Sequence, residues 1–293
     1  MKKLFILFCF LSLFGFTYGQ QVPVISNHMF NRLILNPAYA GSQEQLSASI
    51  LHRSQWIGIK ESPSTQLFSL DAPVNNKVGV GVNIGNDHAG VTSQTELLGS
   101  VSYNVGGSGF SLGLRGGFSY YRASLSQAFV WQPEDPVFSG DIKSALLPKF
   151  GFGMYYSDGL FYAGLSIPDL LVYDAKDIFV SADGSFRNIK KNYILTAGYS
   201  HILTNDIHIE PSMLIKYHPT FPLLVDVNCN IRFTDQFLAG LSYRYKNAFV
   251  GLVQLKVMEK IKVGYAFDIY QSNTLSNYFG THEIMVAYNL GIE

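Results

Sequence analysis

Cysteine is almost absent from this chain. Its 293 residues hold two, Cys9 and Cys229. Cys9 falls inside an apolar leader-like stretch, so Cys229 stands alone in the rest of the chain and an intramolecular disulfide is excluded there. Charge is scarce as well. Only 14% of the residues are charged, where a soluble domain carries about a quarter. Lys plus Arg balance Asp plus Glu at 21 each, so the basic footprint of a nucleic-acid binder is missing. Beyond the N-terminus no apolar run reaches the roughly 18 residues of a helical span, which excludes transmembrane helices. No charged or Pro/Ser-rich linker divides the chain into two domains.

Catalytic signatures are missing too. There is no Gly-Xaa-Ser-Xaa-Gly elbow, no His-Glu-Xaa-Xaa-His pair and no phosphate-binding glycine loop. The seven histidines are scattered without a ligand-like partner at helical spacing. The sequence therefore nominates no catalytic residue, no metal ligand and no cofactor. Asp87-His88, with Gly85 and Gly90, reads as a loop whose composition turn geometry explains. A lipid hydrolase in a membrane barrel would need a Ser–His pair near one rim, but any barrel of this size offers such residues.

What the chain does have is a two-residue rhythm. Ile207, Ile209, Pro211, Met213, Ile215 and Tyr217 alternate with His208, Glu210, Ser212, Leu214 and Lys216. The stretch from Phe221 to Phe233 repeats the pattern, with Asp226, Asn228, Asn230 and Arg232 in the polar phase. Successive strand residues point to opposite faces, so each such segment has one apolar and one polar face. A closed barrel in a bilayer gives the apolar faces somewhere to go.

The N-terminus reads as a secretory signal, with Lys2 and Lys3, an apolar stretch over 4–16, and Thr17 and Gly19 before a cleavage point near Gln20. The chain divides into three segments: a signal peptide over 1–19, an N-terminal plug or periplasmic segment over 20–44, and an outer-membrane β-barrel over 45–293. Alternation and turn signals predict about fourteen strands. They lie near 45–51, 65–71, 78–84, 92–105, 110–121, 149–156, 160–167, 193–201, 207–217, 223–233, 237–245, 249–257, 261–269 and 283–290. The expected fold is thus all-β, a transmembrane antiparallel barrel.

Connections alternate in length. Short ones, such as 106–109 and 157–159, carry the Gly, Asn and Asp of tight hairpins. The long ones span 52–64, 122–148, 168–192 and 270–282, with 218–222 the shortest of that set. Outer-membrane barrels have short periplasmic turns and long external loops, and an even strand number puts both termini on the periplasmic side. The outward phase carries Tyr193, Tyr199, Tyr243, Tyr265 and Tyr288 near strand ends, as an interfacial girdle would. The inward phase mixes signs, including Arg115, Glu210, Arg232, Asp226, Arg244, Lys262, Asp268 and Glu283, and so predicts a lumen laced with structural ion pairs. Leu214 and Met285 in the same phase argue against a wide pore.

Three local features add to this. Trp56 follows Arg53 just past the first strand and is placed to pack at the rim. Pro63 and Pro73 bracket the second strand and stop it. Gly79 and Gly81, on the inner phase, leave room for the segment 36–41 against the wall. The longest external loop holds Trp131, Pro133 and Pro136, a composition that suits either contact with a protein partner or closure over the barrel mouth.

Specific runs carry a resemblance. They are Asn36-Pro37-Ala38-Tyr39-Ala40-Gly41, Arg53-Ser54-Gln55-Trp56, Pro63-Ser64-Thr65-Gln66, Asp71-Ala72-Pro73, the glycine-alternating Val78 to Val82, and Asp87-His88-Ala89-Gly90. Gly164 to Asp169, Tyr243-Arg244, Gly264 to Asp268 and Gly280 to Ile284 come next in order. In this order and spacing the chain resembles the PorP/SprF family of type IX secretion outer-membrane proteins of Bacteroidetes. The likeness implies a non-enzymatic barrel without cofactors that works with a secreted cargo, such as an adhesin, through the cargo's C-terminal domain. It also implies contact with other translocon or gliding components. The competing reading from the residues alone is a stand-alone channel for a small solute. The end of the chain, Asn289 to Glu293, departs from the aromatic terminus of common barrels.

Overall fold

The computed structural model describes residues 25–127, 141–144, 146–170, 191–219, 221–271 and 279–291. The predicted signal peptide and the loop residues Trp131, Pro133 and Pro136 lie outside them.

The strands are β1 (Gln45–Ser54), β2 (Ser64–Pro73), β3 (Val78–Ala89), β4 (Thr92–Asn104), β5 (Phe110–Ala123), β6 (Ile142–Lys143), β7 (Leu147–Ser157), β8 (Phe161–Ile167), β9 (Tyr193–Tyr199), β10 (His201–Thr204), β11 (Ile207–His218), β12 (Phe221–Phe233), β13 (Phe237–Arg244), β14 (Ala248–Met258), β15 (Ile261–Tyr270) and β16 (Thr281–Gly291). β6 is a two-residue ribbon beside β5. β9 and β10 are two lengths of one wall strand, broken at Ser200 and both paired with β11. Fourteen wall strands therefore result, each antiparallel to its chain neighbours. The ring closes where β1 pairs with β16, Gln45 opposite Gly291. Closure leaves no unpaired edge, as a bilayer demands.

Side-chain alternation sorts the two faces. Leu241 is 73% exposed and faces outward, whereas Leu214 and Met285 are buried inside. Val227, Phe249, Ile284 and Cys229 share the outer face. The five tyrosines expected in the girdle are all exposed. The outside is thus an apolar band in search of lipid, and the strand composition follows from it.

The short turns keep their special backbone. Gly106, Gly107 and Gly109 all have positive φ in the β4–β5 hairpin. The opposite end is less uniform than connection lengths predict. β3 runs on to Ala89, so Asp87 and His88 lie in a strand and not in a loop. Asp87 stands opposite Thr65 and Gln94 and accepts a 2.6 Å hydrogen bond from Thr65 Oγ1. Only Gly90 and Val91 separate β3 from β4, a connection as tight as any on the other side. Polar residues continue the ladder beyond the apolar band, so hydropathy alone ends the strand too early. The same effect lengthens β1 to Ser54 and carries Arg53 into the wall.

Candidate functional site: the filled lumen

Eight-stranded barrels fill their interior with their own side chains, and fourteen strands enclose more space than that. Here the N-terminal segment takes it up. Residues 25–42 run through the lumen from the long-loop end to the short-turn end and then enter β1. Two 3-10 turns, Arg32–Ile34 and Pro37–Tyr39, give the segment its shape. Asn36 starts the second. Its extended backbone brings Oδ1 to the Ala38 amide at 2.9 Å, and Pro37 at the first turn position needs no donor.

At the long-loop end five charged groups gather. Arg53 donates to Asp268 at 2.7 Å and to Glu283 at 2.9 Å, and all three side chains are fully buried. Arg244 reaches Asp226 at 3.1 Å and Asp268 at 3.2 Å. Two guanidinium groups face three carboxylates, which leaves one negative charge to be compensated. The plug supplies what is needed. The backbone amides of Ser26 and Asn27 donate to Glu283 at 2.9 and 2.7 Å. Ser26 Oγ donates to Asp268 at 2.7 Å and accepts from Arg53 at 3.1 Å. A buried ion cluster survives only when its remaining lone pairs are satisfied, and here the plug satisfies them. Beside it His28 is buried, and loss of solvent lowers its pKa below the ordinary 6.5 against the pull of Asp226. It stands neutral, its Nδ1 2.9 Å from the Ile25 carbonyl.

Midway, Asn31 Nδ2 bridges Ser49 and Ser69 at 2.7 and 2.8 Å. Among the described residues Arg115 makes no ion pair, although Glu96 and Asp169 line the same cavity. It donates instead to the carbonyls of Leu33 and Ile34, where a 3-10 turn leaves acceptors free. Arg32 lies 3.6 Å over the Tyr162 ring and donates to Tyr155 Oη at 3.2 Å. Tyr39 packs edge-on against Tyr155, and burial pushes its pKa up to about 12 although Arg32 works against that.

Towards the short-turn end the contacts change character. A Cβ on Gly79 would collide with the Ala40 carbonyl, one on Gly113 with the Ala38 amide, and one on Gly153 with Asn36 Oδ1. At Gly81 it would come within 2.8 Å of Leu33, and at Gly164 within 2.9 Å of Asn36 Nδ2. Missing side chains are what admit the plug. Asn36 then donates to the Met154 carbonyl at 2.8 Å, Ser102 Oγ donates to the Ala40 carbonyl at 2.6 Å, and the Gly41 amide donates to Asp71 at 2.9 Å.

A model of the family described as "Type IX secretion system membrane protein PorP/SprF" matches residues 17–288. The chain belongs to the PorP/SprF family. No curated protein matches it. Among solved structures, the CymD monoaromatic hydrocarbon channel aligns at 11% identity with a TM-score of 0.54, covering 94% of this chain and 95% of that one. A Pseudomonas aeruginosa FadL homologue aligns at 10% identity with a TM-score of 0.50, covering 94% and 96%. At such identity they establish the shared outer-membrane barrel fold and nothing more.

The PorP/SprF motif residues fall into three places. Asn36, Pro37, Tyr39 and Gly41 form the lower plug, and Gly79, Gly81 and Asp71 form the wall it rests on. Arg53, expected in the connection 52–64, lies in β1 and is the centre of the ion cluster. Gln55, Trp56, Pro63 and Gly90 belong to the long-loop end. There the Gln55 amide donates to the Pro63 carbonyl at 2.9 Å and Gly90 donates to Glu61 at 3.0 Å. Trp56 has φ of 48° and meets Tyr270 edge-on with ring centroids 6.2 Å apart. Pro73 closes β2. Sequence reasoning passed over Gly113 and Gly153, and named Gly164 only as part of the run Gly164 to Asp169. Their inward phase, the same signal that singles out Gly79 and Gly81, marks them.

Proposed function

We propose that the protein is a non-enzymatic component of the type IX secretion and gliding apparatus. It aids export or surface anchoring of a secreted cargo, such as an adhesin, through the cargo's C-terminal domain, in concert with other translocon components. Family membership supports the apparatus. The observation that carries the rest is the plug: a lumen crossed by eighteen residues and bolted at both ends is poorly suited to bulk solute flow. What remains for recognition is the rim with the long loops, where aromatic and backbone contacts can hold a polypeptide. The aromatic and proline composition of Trp131, Pro133 and Pro136, which lie outside the described residues, supports assigning partner contact to that loop. We place the rim outside the cell and the short-turn end, where β1 starts and β16 stops, in the periplasm.

Deletion of the gene tests this directly. Cargo should disappear from the surface of intact cells, measured by labelling surface proteins, while uptake of small solutes is unchanged. Cargo still displayed together with impaired uptake would favour the stand-alone channel.

A further inference from the structure

At the short-turn end of the lumen two lysines face each other. Lys256 on β14 stands directly opposite Lys262 on β15. Both belong to the inward phase, in line with the buried Gln254 and Ala266. Like charges opposed in this way destabilise a strand pair. Among the described residues neither lysine makes an ion pair. Arg232 on β12 adds a third cation. Glu210 takes its Nε at 2.8 Å and its Nη2 at 3.0 Å, and among the described residues Nη1 is left without a bond. The charges acting on Lys262 are Arg232 and Lys256 on one side of the balance and Asp235 and Glu210 on the other. Glu210 is already committed to Arg232, and Asp235 sits out in the β12–β13 turn.

Of these groups Lys262 and Arg232 border a cavity of about 170 Å³ beneath the plug, and Lys256 stands behind Lys262 as its cross-strand neighbour. Lys262, Arg232, Gln254, Asn289 and Ser47 contribute to its wall, and Asn31 of the plug to its roof. The one carboxylate in the lining, Asp71, is turned to the Gly41 amide. The cavity therefore offers ammonium, guanidinium, amide and hydroxyl donors with little to accept them. We propose that it binds a small oxyanion, a phosphate or a carboxylate, which neutralises the opposed lysines. Lys262 supplies the charge, Arg232 Nη1 a directional donor, and the amides of Gln254 and Asn289 the remaining hydrogen bonds.

The test uses the full-length mature protein in detergent and phosphate-free buffer. Equilibrium dialysis against inorganic phosphate should show saturable binding, and phosphate should raise the unfolding temperature. Lys262→Gln should weaken binding about tenfold or more, since a charged hydrogen bond is lost, and Lys256→Gln should weaken it less. Without phosphate both variants should unfold at a higher temperature than the parent, because repulsion has been removed. Acetate and an acidic hexapeptide as competitors separate a free ion from an anion carried on a polypeptide. Binding that fails to saturate, binding that Lys262→Gln leaves unchanged, or variants no more stable than the parent would each overturn the proposal.

Discussion

The two sides of the barrel wall hold the same plug by different physics. Strands β3 to β8 meet it with absences: Gly79, Gly81, Gly113, Gly153 and Gly164 let its main chain and the Leu33 and Asn36 side chains approach closer than any Cβ would allow. β1 and strands β12 to β16 meet it with charges, centred on Arg53, Asp226, Arg244, Asp268 and Glu283. The glycine side selects by shape and tolerates no added atom. The charged side selects by hydrogen-bond count and tolerates no lost partner. A plug needs both, because shape alone lets it slide along the axis and charge alone lets it rotate about its anchor.

The comparison breaks most sharply at Arg53. Arg53→Met strips Asp268 and Glu283 of a shared partner in a dry site, and it should cost roughly 3–5 kcal/mol, read as a lower temperature for loss of heat-modifiable mobility on gels. A cost below about 1 kcal/mol would mean that water reaches the cluster. On the other side, Gly113→Val should cost about 1–3 kcal/mol by overpacking and raise single-channel conductance in planar bilayers by forcing the lower plug from its seat. Deleting residues 20–42 should raise conductance further. If neither change alters conductance, the plug is not the barrier. Asn36→Ala removes a cap and should cost about 1 kcal/mol, with conductance near that of the parent.

The smallest effect concerns pH. His28 is held neutral, with its folded pKa below 6.5. A depressed pKa gives stability that is complete above the unfolded value and is lost as pH falls through the folded one. Acidification from pH 7 to pH 5 should therefore loosen the long-loop end of the plug. Protease sensitivity near the N-terminus of the plug should rise, and His28→Asn should flatten that response.

Much of this wall was legible in the sequence. Period-two alternation located all fourteen wall strands, since a bilayer punishes any slip that would turn polar residues to lipid. Mixed signs in the inward phase foretold ion pairs, and Gly79 and Gly81 pointed to a close approach. Strand ends were harder. Asp87, His88 and Arg53 sit in ladder that extends past the apolar band, where hydropathy no longer reports on pairing. The partners of Arg53 were beyond reach as well, because Asp268 and Glu283 lie more than two hundred residues away and only closure of the ring brings them together. Gly113 and Gly153 needed knowledge of which stretch of the chain would press on them.

That the opening strand is stitched to the final one has a consequence for biogenesis. Until the last segment arrives, the polypeptide is an open trough with two raw margins. A chain cut short before Thr281 would never shut. It would lack the Glu283 anchor as well, so shutting the wall and securing the plug both depend on the same final strand.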